Sequence, residues 1–407
     1  MKPHVICLAI DRLRASALGP YGAAWCDTLA FDRLASESRL HDQLLCESLQ
    51  LEETYRNLWG PSAGRNVDSE PMPASLPAAS VSAGYQAMLL TDEPLIANHV
   101  SAQAFMERIV LQPEQVSNAA DTIEETQIGH FFAAATDALR ALRESSSRPT
   151  FLWMHCRGMA APWDAPWKLR ESLAEEGDPT PPRNVDVPSE VMPPDADPDI
   201  RLAHTQCYTA QVAVLDACLG VFLEQIEDLK LARETQVVVF GLRGFPLGEH
   251  GTIGAAAEQL YHESMHVPLF IREFDQRNAA SRVDTLATHG DLRLFLAQKI
   301  RNNGQPSELL SLPCSLNQKA RDRVCAANGL ERAIRTPAWH LRVPGSDEGT
   351  PELYVKPDDR FEMNEIAALC PEIVARLQAA IVDTDAYLQG DSQPLAMLSD
   401  ELISGNS

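Results

Sequence analysis

Carboxylate and imidazole groups that could do acid–base or metal chemistry recur directly behind apolar runs of this 407-residue chain. Asp11 follows VICLAI (5–10), Asp92 stands two residues behind AMLL (87–90), and His155 closes TFLWMH (150–155). The run TQVVVF leads into GLRGFPLGEHG (241–251), which carries Glu249 and His250. A positioned carboxylate or imidazole exchanges protons with a bound molecule, and several carboxylates together hold a divalent cation. The start of the glycine loop speaks against that chemistry. At the carboxyl end of the strand itself, this chain has Leu242 and Arg243, neither an acid nor an imidazole.

Groups placed in this way need a sheet behind them. The runs 5–10, 87–90, 150–155, 236–240 and VPLFI (267–271) are apolar on both faces, the pattern of central strands in a mostly parallel sheet covered by helices. Helical patterns lie between them. From about Arg201 to Leu231, residues Tyr208, Val212, Leu215, Leu219, Phe222, Ile226 and Leu229 step by four and three and predict one apolar stripe. DTLAFDRLASES (27–38) reads as a helix opening at Asp27. This alternation predicts a large doubly wound α/β sheet, whose ligands collect at the carboxyl ends of the strands. Asp11, His155 and Leu242–Arg243 sit at such ends. RNVDSEPMPASLP (65–77) reads as a loop, as does the segment 175–199, whose seven prolines exclude a helix or a central strand. The second is a solvated insertion or a lid. Beyond about residue 312, RTPAWHLRVPG (335–345) and ELYVKPDD (352–359) predict short strands, and 371–388 an amphipathic helix. The expected division is an α/β domain over 1–311 and a small α+β subdomain over 312–407.

Charge narrows the partners. With 34 basic and 57 acidic residues the net charge is −23, and a surface without a basic face cannot displace phosphate counterions. Nucleic acid and anionic membrane are therefore not expected; an unidentified small ligand or a protein partner is, with the oligomeric state left open. VICLAI is too short for a secretory core or a membrane span and is expected to be the first strand. Nine cysteines without a C-x-x-C pair predict reduced, buried thiols and a cytoplasmic protein.

Several stretches carry a family resemblance. IDRLRASALGPYG (10–22) with LAFDRLASES (29–38) resembles the opening of the sulfatase family, within the alkaline phosphatase superfamily. LPAASVSAGYQAMLLTDEP (76–94) is similar to that family's helix–Gly–Tyr–strand unit, and FLWMHCRGMAAPWDAPW (151–167) to its His-containing loop. VVVFGLRGFPLGEHG followed by LYHESMHVPLFIR (260–272) resembles its most specific segment, and ELYVKPDDRFEMNEIA (352–367) its C-terminal subdomain. The resemblance spans nearly the whole chain in the family's order and implies the family's fold and sulfuric ester hydrolysis.

Position by position, the resemblance also implies losses. Family sulfatases use a formylglycine made from the Cys or Ser of C/S-x-P-S-R. That position falls on Gln50 or Leu51, followed by Glu52, Glu53 and Thr54 where Pro, Ser and Arg belong. Cys46 and Ser48 lack the recognition residues behind them. Of the calcium ligands only Asp11 remains: Arg12 follows it, and Leu242 and Arg243 replace the late Asp and His/Asn. Arg243 is expected to take the metal's place and pair with Asp11. Asp92 stands where a sulfate-binding Lys belongs, Ala255 near a second Lys, and Ala160 at the second His of the loop around His155. Glu249 and His250 are expected to shape their loop, His155 to anchor its own, and His262, at the place of a typical acid, to pack as a neutral ring. No catalytic set is intact, and neither calcium nor formylglycine is expected. Three readings follow: a non-catalytic homologue that binds a ligand or partner, a divergent metal-independent sulfate or phosphate ester hydrolase using Asp11 or His155, and a structural subunit of an active paralogue.

Overall fold

The computed structural model describes residues 2–60, 75–113, 115–144, 148–301, 321–346, 349–390 and 395–405. Its main sheet contains β1 (His4–Ile10), β2 (Arg39–Leu45), β3 (Gln86–Thr91), β4 (Glu107–Val110) and β5 (Thr150–Cys156). A separate ribbon pairs β6 (Ser189–Val191) with β8 (Thr252–Gly254), while β7 (Thr235–Gly241), β9 (His266–Arg272), β10 (Ser281–Val283) and β11 (Ala287–Thr288) complete the main sheet. Its order is β10-β2-β9-β7-β1-β5-β3-β4, with β11 also on β2.

Period-two alternation assigns the two faces. Ile6, Leu8 and Ile10 of β1 join the core under the helices Gln127–Glu144 and Pro198–Asp228; Val5, Cys7 and Ala9 join the opposite core, with helices Leu51–Trp59 and His289–Arg301. Burial on both faces is why these strands are apolar throughout and why their polar groups stand only at their ends. The predicted doubly wound, mostly parallel architecture is the one observed, with one difference inside it. VPLFI lies in β9, which runs antiparallel between β7 and β2. The partner strand β2 escaped the apolar-run reading because it contains Arg39, His41, Asp42 and Gln43, and its register shifts between His41 and Leu44.

Two helix starts move. The long helix begins at Pro198, where a missing N–H costs nothing, under an Asp197 carboxylate that accepts from the Asp199 N–H at 3.0 Å, and it ends at Asp228. The first helix spans Leu29–Glu37 with Thr28, rather than Asp27, at its N-cap. Within 175–199, β6 forms an edge ribbon and Pro198 already belongs to the long helix. Of the loop 65–77, residues 65–74 lie outside the described residues, and Leu76–Pro77 open a helix capped by Ser75.

The C-terminal unit is an antiparallel sheet β12 (Val324–Asn328), β13 (Glu331–Arg335), β14 (Trp339–Val343) and β15 (Glu352–Val355), packed on the helix Pro371–Leu388. The 311/312 boundary falls outside the described residues. β12 reaches back to the main domain: the Ala327 N–H donates to the Glu47 carbonyl at 3.0 Å, and Ser48 and Ala327 form an isolated parallel bridge.

Candidate functional site

Strand ends bring Asp11, Asp92, His155 and Leu242–Arg243 to one edge, because β7, β1, β5 and β3 are parallel neighbours. Ile10 pairs with Gly241 and Cys156, so Asp11 and Leu242 both leave the sheet at the same level. Arg243 then turns back over β1. Its Nε meets Asp11 Oδ1 at 2.8 Å and its Nη2 meets Oδ2 at 2.9 Å, a two-point carboxylate–guanidinium pair. Nη1 donates to the Leu49 carbonyl at 2.7 Å, tying the guanidinium to the segment before the helix Leu51–Trp59. Burial opposes both charges, but each outweighs it for the other: the Arg243 guanidinium holds the Asp11 carboxyl below the usual range, and Asp11 raises Arg243.

A second pair lies alongside. Arg12 has left-handed backbone (φ 62°), which folds its N–H back onto Asp11 Oδ1 at 3.0 Å; its guanidinium pairs with Glu258. Asp11 and Glu258 against Arg12 and Arg243 make a neutral quartet. Leu242 is fully buried and belongs to the apolar core.

Asp92 and His155 complete the edge. Asp92 Oδ1 accepts the Arg157 N–H at 2.8 Å, and burial pushes its carboxyl up to about 7 despite the nearby Arg157. Tyr55 Oη lies 2.7 Å from His155 Nδ1, and the Trp153 indole N–H donates to Tyr55 Oη at 3.2 Å. With Trp153 donating to the hydroxyl, Tyr55 is free to donate to Nδ1. His155 Nε2 has no partner among the described residues. Burial pulls this imidazole down to about 4, so it is neutral at pH 7. Tyr55 was not among the sequence candidates; it sits in the helix behind Gln50, and no motif marks it.

Gln50 is the N-cap position of Leu51–Trp59 and its side chain faces the other domain: Nε2 donates to Asn328 Oδ1 at 3.1 Å. Leu51 is buried in the core. Cys46 is fully buried, with burial raising its thiol to about 12, and Ser48 Oγ accepts the Gln50 N–H at 3.1 Å. A thiol held protonated in this way is a poor nucleophile.

His250 is occupied elsewhere. Its Nδ1 lies 2.7 Å from Glu263 Oε1, its Nε2 2.9 Å from the Glu362 carbonyl, and its ring stacks on Tyr261 at 3.6 Å. Burial works against its charge, but Glu263 raises it to about 9. Glu249 pairs with the buried Arg14 at 2.5 Å and accepts the Leu247 N–H at 2.7 Å. Gly248 and Gly251 have φ of 96° and 75°, the left-handed backbone of a tight turn. Gly244 is required by space: a Cβ there would overlap the Glu263 carbonyl. The loop's carboxylate and imidazole thus hold the loop and the domain junction together.

A family model described as Sulfatase matches residues 3–294. Solved structures similar along the whole chain include the phosphonate monoester hydrolase of Agrobacterium radiobacter, at 14% identity over 95% of this chain and 96% of that one, with a TM-score of 0.71. A protein solved in complex with its substrate D-glucosamine-2-N,6-O-disulfate gives 16% identity, 96% and 99% coverage and a TM-score of 0.72. A 2-O GAG sulfatase gives 16% identity, 98% and 96% coverage and 0.63. Identities this low establish a shared fold. No functionally curated sequence matches the chain.

Proposed function

The chain belongs to the sulfatase family, and from that premise we propose that it is a member without turnover, whose role is to bind a ligand or partner. The observation that carries this reading is the Asp11–Arg243 pair, with N–O distances of 2.8 and 2.9 Å and a third contact to the Leu49 carbonyl. Ester hydrolysis in this family rests on a cation that draws charge from the sulfate oxygens and on a nucleophile aimed at sulfur. Neither fits the residues present. Calcium seeks six to eight oxygen donors, whereas both Asp11 oxygens already accept from a guanidinium, and Leu242 supplies a hydrocarbon side chain. The nucleophile position, Gln50 or Leu51, offers an amide directed to Asn328 or a core side chain. The neutral quartet of Asp11, Glu258, Arg12 and Arg243 leaves no net positive field to draw in an anionic ester.

Purified protein, co-expressed with a formylglycine-generating enzyme, is expected to show no arylsulfatase or phosphatase turnover. Turnover that disappears in Asp11→Ala would defeat the reading and favour a metal-independent hydrolase. That alternative draws its support from Asp92, a buried carboxyl at about 7, and from the unpartnered His155 Nε2.

A further inference from the structure

Between β2, β9 and the C-terminal subdomain lies a cavity of about 300 Å³, whose lining includes neither Asp11 nor Arg243. Four cationic side chains and two carboxylates, Asp42 and Asp284, line it, in a chain whose net charge is −23. Two of them are answered. Arg282 pairs with Asp42 at 2.5 Å at the exposed mouth, and Lys356 Nζ meets Glu362 Oε1 at 2.9 Å. The other two are not. Arg335 is buried (6% exposed), yet among the described residues its guanidinium donates to the Thr336 carbonyl and meets no carboxylate within ion-pair distance. Arg360 donates to the Tyr21 carbonyl at 2.9 Å and likewise meets no carboxylate.

The missing counter-charge has an address. Position 262, where the family resemblance implies an acid, is a histidine whose Nε2 lies 3.3 Å from Nδ1 of His266. Both rings line the cavity, and burial together with the surrounding Lys356, Arg360 and Arg335 keeps them neutral, His266 down to about 3. A buried guanidinium without an anion is costly, and the arrangement is stable when one is supplied.

We propose that this cavity is a binding site for a phosphate or sulfate group, held by Arg335 and Arg360 and seated beside His262, where it replaces the lost carboxylate. Planar guanidinium groups present parallel N–H donors that match tetrahedral oxyanions. The site shares no lining residue with the Asp11–Arg243 pair and does not depend on whether that edge turns over an ester.

Calorimetric titration of the intact protein with inorganic phosphate, inorganic sulfate and glucose 6-phosphate, against chloride at matched ionic strength, tests it. A saturable one-to-one isotherm with a Kd no weaker than about 1 mM is expected. Arg360→Gln, at a half-buried side chain, should weaken it about tenfold or more. His262→Glu should abolish it while leaving the melting temperature equal or higher, because the carboxylate is restored in place. Tighter binding of the monoester than of the free ion identifies the terminal group of a larger ligand, and the reverse identifies the free ion; either sustains the proposal. Absence of a saturable isotherm, or binding that Arg360→Gln leaves undiminished, would overturn it. Should His262→Glu fail to fold, the Arg360 variant carries the test alone.

Discussion

Arg243 carries the largest electrostatic burden at the strand ends, because it neutralises a carboxylate that is itself nearly inaccessible. Removing one partner of a buried pair strands the other charge, a cost of about 3–5 kcal/mol, whereas replacing both with apolar groups of similar volume is often neutral or stabilising. Arg243→Met alone is therefore expected to lower stability in denaturant unfolding by about that amount. The double variant Asp11→Leu with Arg243→Met is expected to recover most of it. A single variant as stable as the wild type would show that the pair is not what holds this edge. Asp92 gives the opposite sign. Its folded carboxyl, at about 7, lies above its ordinary value of 3.8, so its contribution to stability is fully present below the unfolded value and lost as pH rises through 7. Asp92→Asn should be stabilising at pH 8, by up to about 4 kcal/mol, and nearly neutral at pH 4. Equal effects at both pH values would count against a buried, protonatable Asp92.

Strands and helices decide which of these residues meet. β1, β5 and β7 were legible because burial on both faces forces unbroken apolar runs, and the residue closing or following each run had to stand at an end of the sheet. The expected pairing of Asp11 with Arg243 needs, beyond that placement, the family resemblance that puts Arg243 at a calcium-ligand position. β2 was not legible, since Arg39, His41, Asp42 and Gln43 interrupt its pattern and its bulge shifts the register. Missing β2 also concealed the wall of the oxyanion cavity. The antiparallel course of β9 leaves no trace in composition, because a strand buried on both faces reads the same in either direction. His250, expected to shape its loop, does so through particular partners that no pattern names, Glu263 and the Glu362 carbonyl. Tyr55 was hidden for a different reason: a tyrosine on an apolar helix face looks like packing until the fold places its hydroxyl on His155.

At the scale of the molecule, the two units are joined through polar contacts as well as apolar ones. Gln50 binds Asn328, β12 donates to Glu47, and His250 reaches Glu362 across the junction. His250 at about 9 lies above its ordinary 6.5, so its stabilising contribution is complete below 6.5 and is lost as pH rises from there through 9. Thermal unfolding should therefore show a fall in melting temperature over that window, reduced in His250→Gln; an identical fall in the variant would assign the effect to other groups. Because tight binding to the folded state stabilises the whole molecule by mass action, cation binding beside Asp11 can also be read globally. The most direct test of the account is a calcium titration of the intact protein by calorimetry, with melting temperature followed in calcium and in chelator. The ion pair between Asp11 and Arg243 predicts no saturable heat and no shift in melting. A one-to-one calcium site that vanishes in Asp11→Asn would contradict it.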